Sequence, residues 1–152
     1  MHLRILATVS IVLAIAAIDV ASAERGTPAE AQAMLAKAIA HYKEVGRANA
    51  LADFNKKTPP FGDRDLYVVC LASDHTEVAN GGFPRYVGVS ADQVKTADGK
   101  PLGTAFWDAA AKGEPSVTYA WTNPVTHGIE KKIGYVQKAG DDVCIVGAYQ
   151  PS

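Results

Sequence analysis

Polar and apolar positions change their period along the chain, and each change predicts a new element. Met34, Leu35, Ala38, Ile39, Tyr42 and Val45 recur at helical spacing, while Lys37, His41, Lys43 and Glu44 lie mostly off that stripe. In front of them Thr27-Pro28-Ala29-Glu30 forms a capping box, with proline at the first helical position. Gly46 predicts a stop or kink, and Arg47 to Phe54 a second, shorter helix. After Thr58-Pro59-Pro60 the pattern becomes extended. Leu66 to Leu71 is continuously apolar and partly β-branched, as in a central strand covered on both faces. A turn at Ser73-Asp74-His75 leads into a partner strand at Glu77-Val78-Ala79, which Asn80-Gly81-Gly82 and Pro84 break. Asp98-Gly99 predicts a tight turn, and Leu102 to Ala111 a short helix that Gly113 and Pro115 end.

The last third predicts a three-strand meander. Val117, Tyr119 and Trp121 alternate with Thr118, Ala120 and Thr122; Ile133 to Gln137 returns, and Val143 to Tyr149 closes. Asn123-Pro124, His127-Gly128 and Gly140-Asp141-Asp142 mark the turns. Helices followed by mainly antiparallel strands, with one inserted helix, predict an α+β domain.

Before all of this, Ile5 to Ala17 is almost entirely apolar, and Ala21-Ser22-Ala23 offers small residues where a signal peptidase reads them. Residues 1–23 are therefore expected to be a secretory signal peptide cleaved after Ala23, in preference to an uncleaved anchor. The run is too short, and too soon interrupted by Asp19, to span a bilayer comfortably. Residues 24–152 are enough for a single core and are expected to be soluble, periplasmic or secreted. The formal charge of −1 across 152 residues leaves no electrostatic footprint for nucleic acid or anionic lipid.

Candidate chemistry is sparse. The two cysteines, Cys70 and Cys144, both lie in predicted core strands. An oxidising compartment favours a disulfide between them, whereas burial alone is explained by two inert thiols, and both readings stay open. Neither sits in a CxxC arrangement. His41 falls on a polar helix face, and His75 and His127 in turns, without a second ligand at metal spacing, so no metal site is expected. No nucleophile elbow, zinc-protease, P-loop or dinucleotide motif is present. We expect a protein that is not an enzyme and needs no cofactor.

Seven segments, in order, resemble the single Cache domains of type 2, which are extracytoplasmic PAS-like sensory modules. They are Ala52-Asp53-Phe54-Asn55, Asp65-Leu66-Tyr67-Val68-Val69, Val87-Gly88, Asp98-Gly99-Lys100-Pro101, Tyr119-Ala120-Trp121-Thr122-Asn123-Pro124, Lys131-Lys132-Ile133-Gly134-Tyr135-Val136 and Ile145-Val146-Gly147-Ala148-Tyr149. The resemblance runs from about Thr27 to Tyr149. It implies a long N-terminal helix packed on a PAS-like antiparallel sheet of about five strands. A small pocket would lie between that sheet and the loops and short helix that follow its second strand. It also implies a small organic anion as ligand. No membrane helix or signalling domain follows Tyr149, so sensing is expected to need a partner such as a membrane receptor or kinase. The alternative is a ligand-free module that docks on such a receptor. Where relatives often carry an alanine-histidine-proline step, this chain reads Ala79-Asn80-Gly81-Gly82.

A pocket of this kind needs aromatic walls and a few polar anchors. Alternation puts Tyr119 and Trp121 on one face of their strand, and their place in the family motif assigns them to the pocket. Lys132 matches the family's lysine and Arg85 lies in the loop that should cap the site, so these are the candidate cations for a carboxylate. Tyr67 and Tyr135 are candidate hydroxyl donors, with Tyr86 as a further one, and Phe61 and Phe106 are candidate apolar walls. Strict alternation sets Tyr135 on the face of Lys131 and Ile133, opposite Lys132. Without a bulge, only one of Lys132 and Tyr135 can face the ligand.

Overall fold

The computed structural model describes residues 25–150, so the predicted signal peptide lies outside the described residues. Helix α1 spans Pro28–Val45 and α2 spans Arg47–Phe54. The capping box is made as the sequence requires: Thr27 Oγ1 accepts the Glu30 N–H at 3.2 Å, and Glu30 Oε2 accepts the Thr27 N–H at 2.7 Å. Gly46, at φ +80°, separates the two helices in a conformation that disfavours side chains. Ala31, Met34, Leu35, Ala38, Ile39 and Tyr42 form the buried stripe of α1.

The strands are β1 (Gly62–Asp63), β2 (Leu66–Leu71), β3 (Glu77–Asn80), β4 (Ser116–Thr122), β5 (Ile129–Ala139) and β6 (Asp142–Tyr149), and α3 (Leu102–Lys112) lies between β3 and β4. All pairings are antiparallel, in the order β1-β2-β6-β5-β4, with β3 also on β2. Strands β1 and β3 share the outer side of β2, so six strands make a sheet five wide. Strand β5 is longer than its apolar run predicts. Its pairing with β4 continues through the polar Glu130 and Lys131, where no hydrophobic alternation signals a strand.

The continuous apolar character of β2 has its reason in two covered faces. Leu66, Val68 and Cys70 pack under α1 and α2, with Ala79, Cys144, Val146 and Ala148. Tyr67, Val69 and Leu71 face the other way, toward α3 and the loops. Cys70 and Cys144 are directly opposed on β2 and β6 and are joined by a disulfide on the helix side. Tyr42 and Arg47 both bond the buried Asp142 carboxylate, at 2.7 and 2.8 Å, and so tie the end of α1 to the turn between β5 and β6. Among the described residues no helix is long and apolar enough to cross a membrane.

Candidate functional site

The face of the sheet away from α1 carries the site. Directly opposed residues share a face, so the register through Tyr119, Lys132 and Tyr149 puts all three on this side. Lys132 is only 2 % exposed. Its stem crosses Gly147, where a Cβ would come within 2.3 Å of Lys132 Cε. The ammonium thus reaches a position 4.0 Å from the Tyr67 ring centre and 4.4 Å from that of Tyr149.

The hydrogen bonds around it have a definite direction. The Tyr149 hydroxyl donates to the Thr122 carbonyl at 2.7 Å, so the Tyr67 hydroxyl, 3.1 Å away, must donate to Tyr149. Lys132 Nζ donates to the same Tyr149 oxygen at 3.3 Å, its one hydrogen bond among the described residues. The nearby Asp65 carboxylate is already engaged, by the Gly26 N–H at 2.5 Å and Asn123 Nδ2 at 3.1 Å. Burial pushes Lys132 down to about 7 from the ordinary lysine value, against the attraction of Asp65 and Glu77. Two of its three donors remain for another group.

Lys132 does not itself line the nearby cavity of about 30 Å³, but the Tyr67 ring it touches helps to wall it, together with Val69, Leu71, Phe106, Tyr119 and Trp121 and, at its polar end, Glu77 and Asn80. In this closed form the space suits about two waters rather than an organic ligand. Phe106 and Tyr119 meet edge to face at 5.5 Å above Gly134, where a Cβ would come within 3.0 Å of both rings. A short 3₁₀ turn, Pro84–Tyr86, helps roof the site. Phe83 and Tyr86 pack on Trp121, at 6.1 and 5.3 Å between ring centres.

Tyr67, Tyr119, Trp121 and Lys132 are therefore brought together. Arg85 is not: it is exposed, its guanidinium stacked on Phe83 and Tyr86 at 5.0 and 4.9 Å. Tyr135 is on the opposite face, against the α1 core, because no bulge interrupts β5. Phe61 is also on the helix side, packed on Phe54 and His41, and only Phe106 lines the cavity.

Sequence reasoning missed Glu77. A β-bulge at β3 pairs Leu71 with Glu77 but Cys70 with Ala79, leaving Val78 as the extra residue. Strict alternation would put Glu77 with Ala79. The bulge instead turns Glu77 and Asn80 together into the cavity, where Asn80 Nδ2 donates to Glu77 Oε2 at 2.7 Å. Burial raises the Glu77 carboxyl to about 7, opposed by the Asn80 hydrogen bond and by Lys132. No local sequence signal marks the bulge. The acidic residue in an otherwise buried strand pair was the available hint. Among the described residues no group of three or more histidine, cysteine or acidic side chains could hold a metal.

A five-wide antiparallel sheet with a helix on one face, and a small aromatic cavity under loops on the other, defines a PAS-like module. The chain belongs to the single Cache domain 2 family, whose sequence profile matches residues 2–149. Solved structures agree on the fold. A methyl-accepting chemotaxis protein from Vibrio parahaemolyticus superposes with a TM-score of 0.67 at 18 % identity, over 86 % of this chain and 89 % of that one. The periplasmic sensor domain of a chemotaxis protein gives 0.64 at 18 % identity, over 89 % and 100 %. A Cache chemosensory domain described for carboxylic acid recognition gives 0.58 at 18 % identity, over 80 % and 86 %. No curated protein matches the chain.

Proposed function

We propose that this protein is an exported sensory domain that binds a small organic acid, and that Lys132 holds the acid's carboxylate. The observation that carries this reading is the state of Lys132. A fully buried ammonium bonded only to a tyrosine hydroxyl is costly unless an anion completes its shell. A fold needing only stability would do better with a methionine there. Tyr67 and Tyr149 hold the ammonium by cation–π contact, and Tyr119 and Trp121 enclose the rest of the ligand. Entry requires the cavity to open, and the packed aromatic roof of Phe83, Tyr86 and Trp121 is the part that would have to move. Location in the periplasm or outside the cell is supported by the buried disulfide and by the leader-like first residues. The binding event would be read by a membrane receptor or kinase; the periplasmic sensor domain with the same fold supports that partner class.

The test is a thermal-shift and calorimetric screen of small carboxylates on the wild type and Lys132→Met. A ligand at about a hundred times its dissociation constant should stabilise the wild type by ~2.7 kcal/mol, a shift of several degrees. The variant should stay folded and lose the response. A ligand that shifts both proteins equally would remove Lys132 from the site. A flat panel on a well-folded wild type would instead favour the ligand-free docking module.

A further inference from the structure

The cavity has an acid built into its wall, and a ligand carrying only a carboxylate does not account for it. Glu77 is 7 % exposed and reaches the cavity because the bulge at Val78 turns it there together with Asn80. Asn80 is locked in one orientation: its Oδ1 accepts the Gly82 and Phe83 N–H groups at 3.1 and 2.8 Å, so its Nδ2 must donate to Glu77. That leaves Glu77 Oε1 without a hydrogen bond among the described residues, beside walls that are otherwise mostly aromatic and aliphatic.

We propose that the ligand is a small zwitterion, a short-chain amino acid, with its carboxylate toward Lys132 and its ammonium on Glu77. The inference rests on the anion-site reading above. Of the polar groups around the cavity and the lysine behind its Tyr67 wall, the Asp65 carboxylate is taken by Gly26 and Asn123, and the Tyr67 and Tyr149 hydroxyls bond each other. Glu77, which lines the cavity, and Lys132, whose ammonium lies against the Tyr67 ring that walls it, are what remains, one negative and one positive, neither bonded to a group of opposite charge. A plain monocarboxylate would satisfy Lys132 while burying Glu77 further, next to a second negative charge. A hydroxy acid could offer Glu77 one hydrogen bond but no charge. An ammonium offers both, and charge-assisted hydrogen bonds are roughly twice as strong as neutral ones. Burial holds both side chains near neutrality in their titration, so a ligand with opposite charges at its two ends favours the ionised form of each.

The experiment is calorimetric titration of the purified protein with alanine, β-alanine and γ-aminobutyrate against propionate and lactate, repeated on Glu77→Gln and Lys132→Met. Glutamine keeps the size of Glu77 and its acceptor for Asn80, so the fold is retained, which circular dichroism checks. The best amino acid should bind at least ~tenfold tighter than propionate or lactate, about one charged contact's worth. Glu77→Gln should erase most of that preference while leaving propionate binding intact or improved. Propionate or lactate binding as tightly as every amino acid, or a preference unchanged in Glu77→Gln, overturns the zwitterion. If the carboxylates bind and Lys132→Met abolishes this while Glu77→Gln changes nothing, the anion site stands and this inference alone fails. If nothing binds the wild type, both fall.

Discussion

At the scale of single residues, the site is governed by two ionisable groups largely removed from bulk water. The Lys132 value is depressed by burial, so its favourable contribution is complete above the unfolded lysine value and is lost as the pH falls toward about 7. Glu77 runs the opposite way. Its raised value makes its contribution complete below about 4.5 and lost as the pH rises toward about 7. The two slopes meet near neutrality, where the ligand-free protein is least helped by either. Glu77→Gln should therefore flatten the loss of stability between pH 4.5 and 7, by roughly 3 kcal/mol across that window. Denaturant melts at pH 4.5, 6 and 7 check this. Parallel wild-type and variant curves would mean that Glu77 titrates as an ordinary surface carboxylate.

At the scale of elements, the site depends on what β5 and β6 omit. Gly134 and Gly147 face each other across the strands and supply a floor without side chains. Phe106 and Tyr119 settle over the first, and the Lys132 stem over the second. Gly147→Ala places a methyl where Lys132 Cε now lies, and the flexible stem, not the strand, must give way. We expect ligand affinity to fall as far as in Lys132→Met, with a change in melting temperature of no more than a few degrees, since a buried charge leaves the interior as the methyl enters. Retained affinity with a large fall in melting temperature would show that the backbone moved instead. The same scale governs α1, whose reciprocal Thr27–Glu30 cap is worth about 1 kcal/mol. Thr27→Ala should cost that much in denaturant melts and leave ligand affinity unchanged.

At the scale of the whole molecule, two buried layers share one sheet. The helix-side core holds the fold, and the opposite face holds the cavity. The Cys70–Cys144 bond lies in the first layer and joins residues 74 apart, at the centre of the sheet. Closing a loop of that length stabilises a chain by about 4 kcal/mol in the chain-entropy account. The Cys70→Ala/Cys144→Ala variant should therefore melt more than ~10 °C below the oxidised protein. Calorimetry with and without reductant checks this, since the reduced wild type should fall in the same direction.

Much of this layering was legible without coordinates, because it follows from local chemistry. The capping box, Gly46, the unbroken apolar run of β2 and the alternation around Tyr119 and Trp121 each act over a few residues, and each predicted its element. The same alternation set Lys132 and Tyr135 on opposite faces. It could not say which faced the ligand, because both faces of this sheet are covered. Only the tertiary structure decided that, by seating α1 on the Tyr135 side. It also decided that Arg85 stacks outward on its own loop, and that a bulge with no sequence signature turns Glu77 inward beside Asn80. A period of two or of 3.6 is written in neighbouring residues. A register shift, and the choice between two buried faces, come from contacts between residues far apart in the chain.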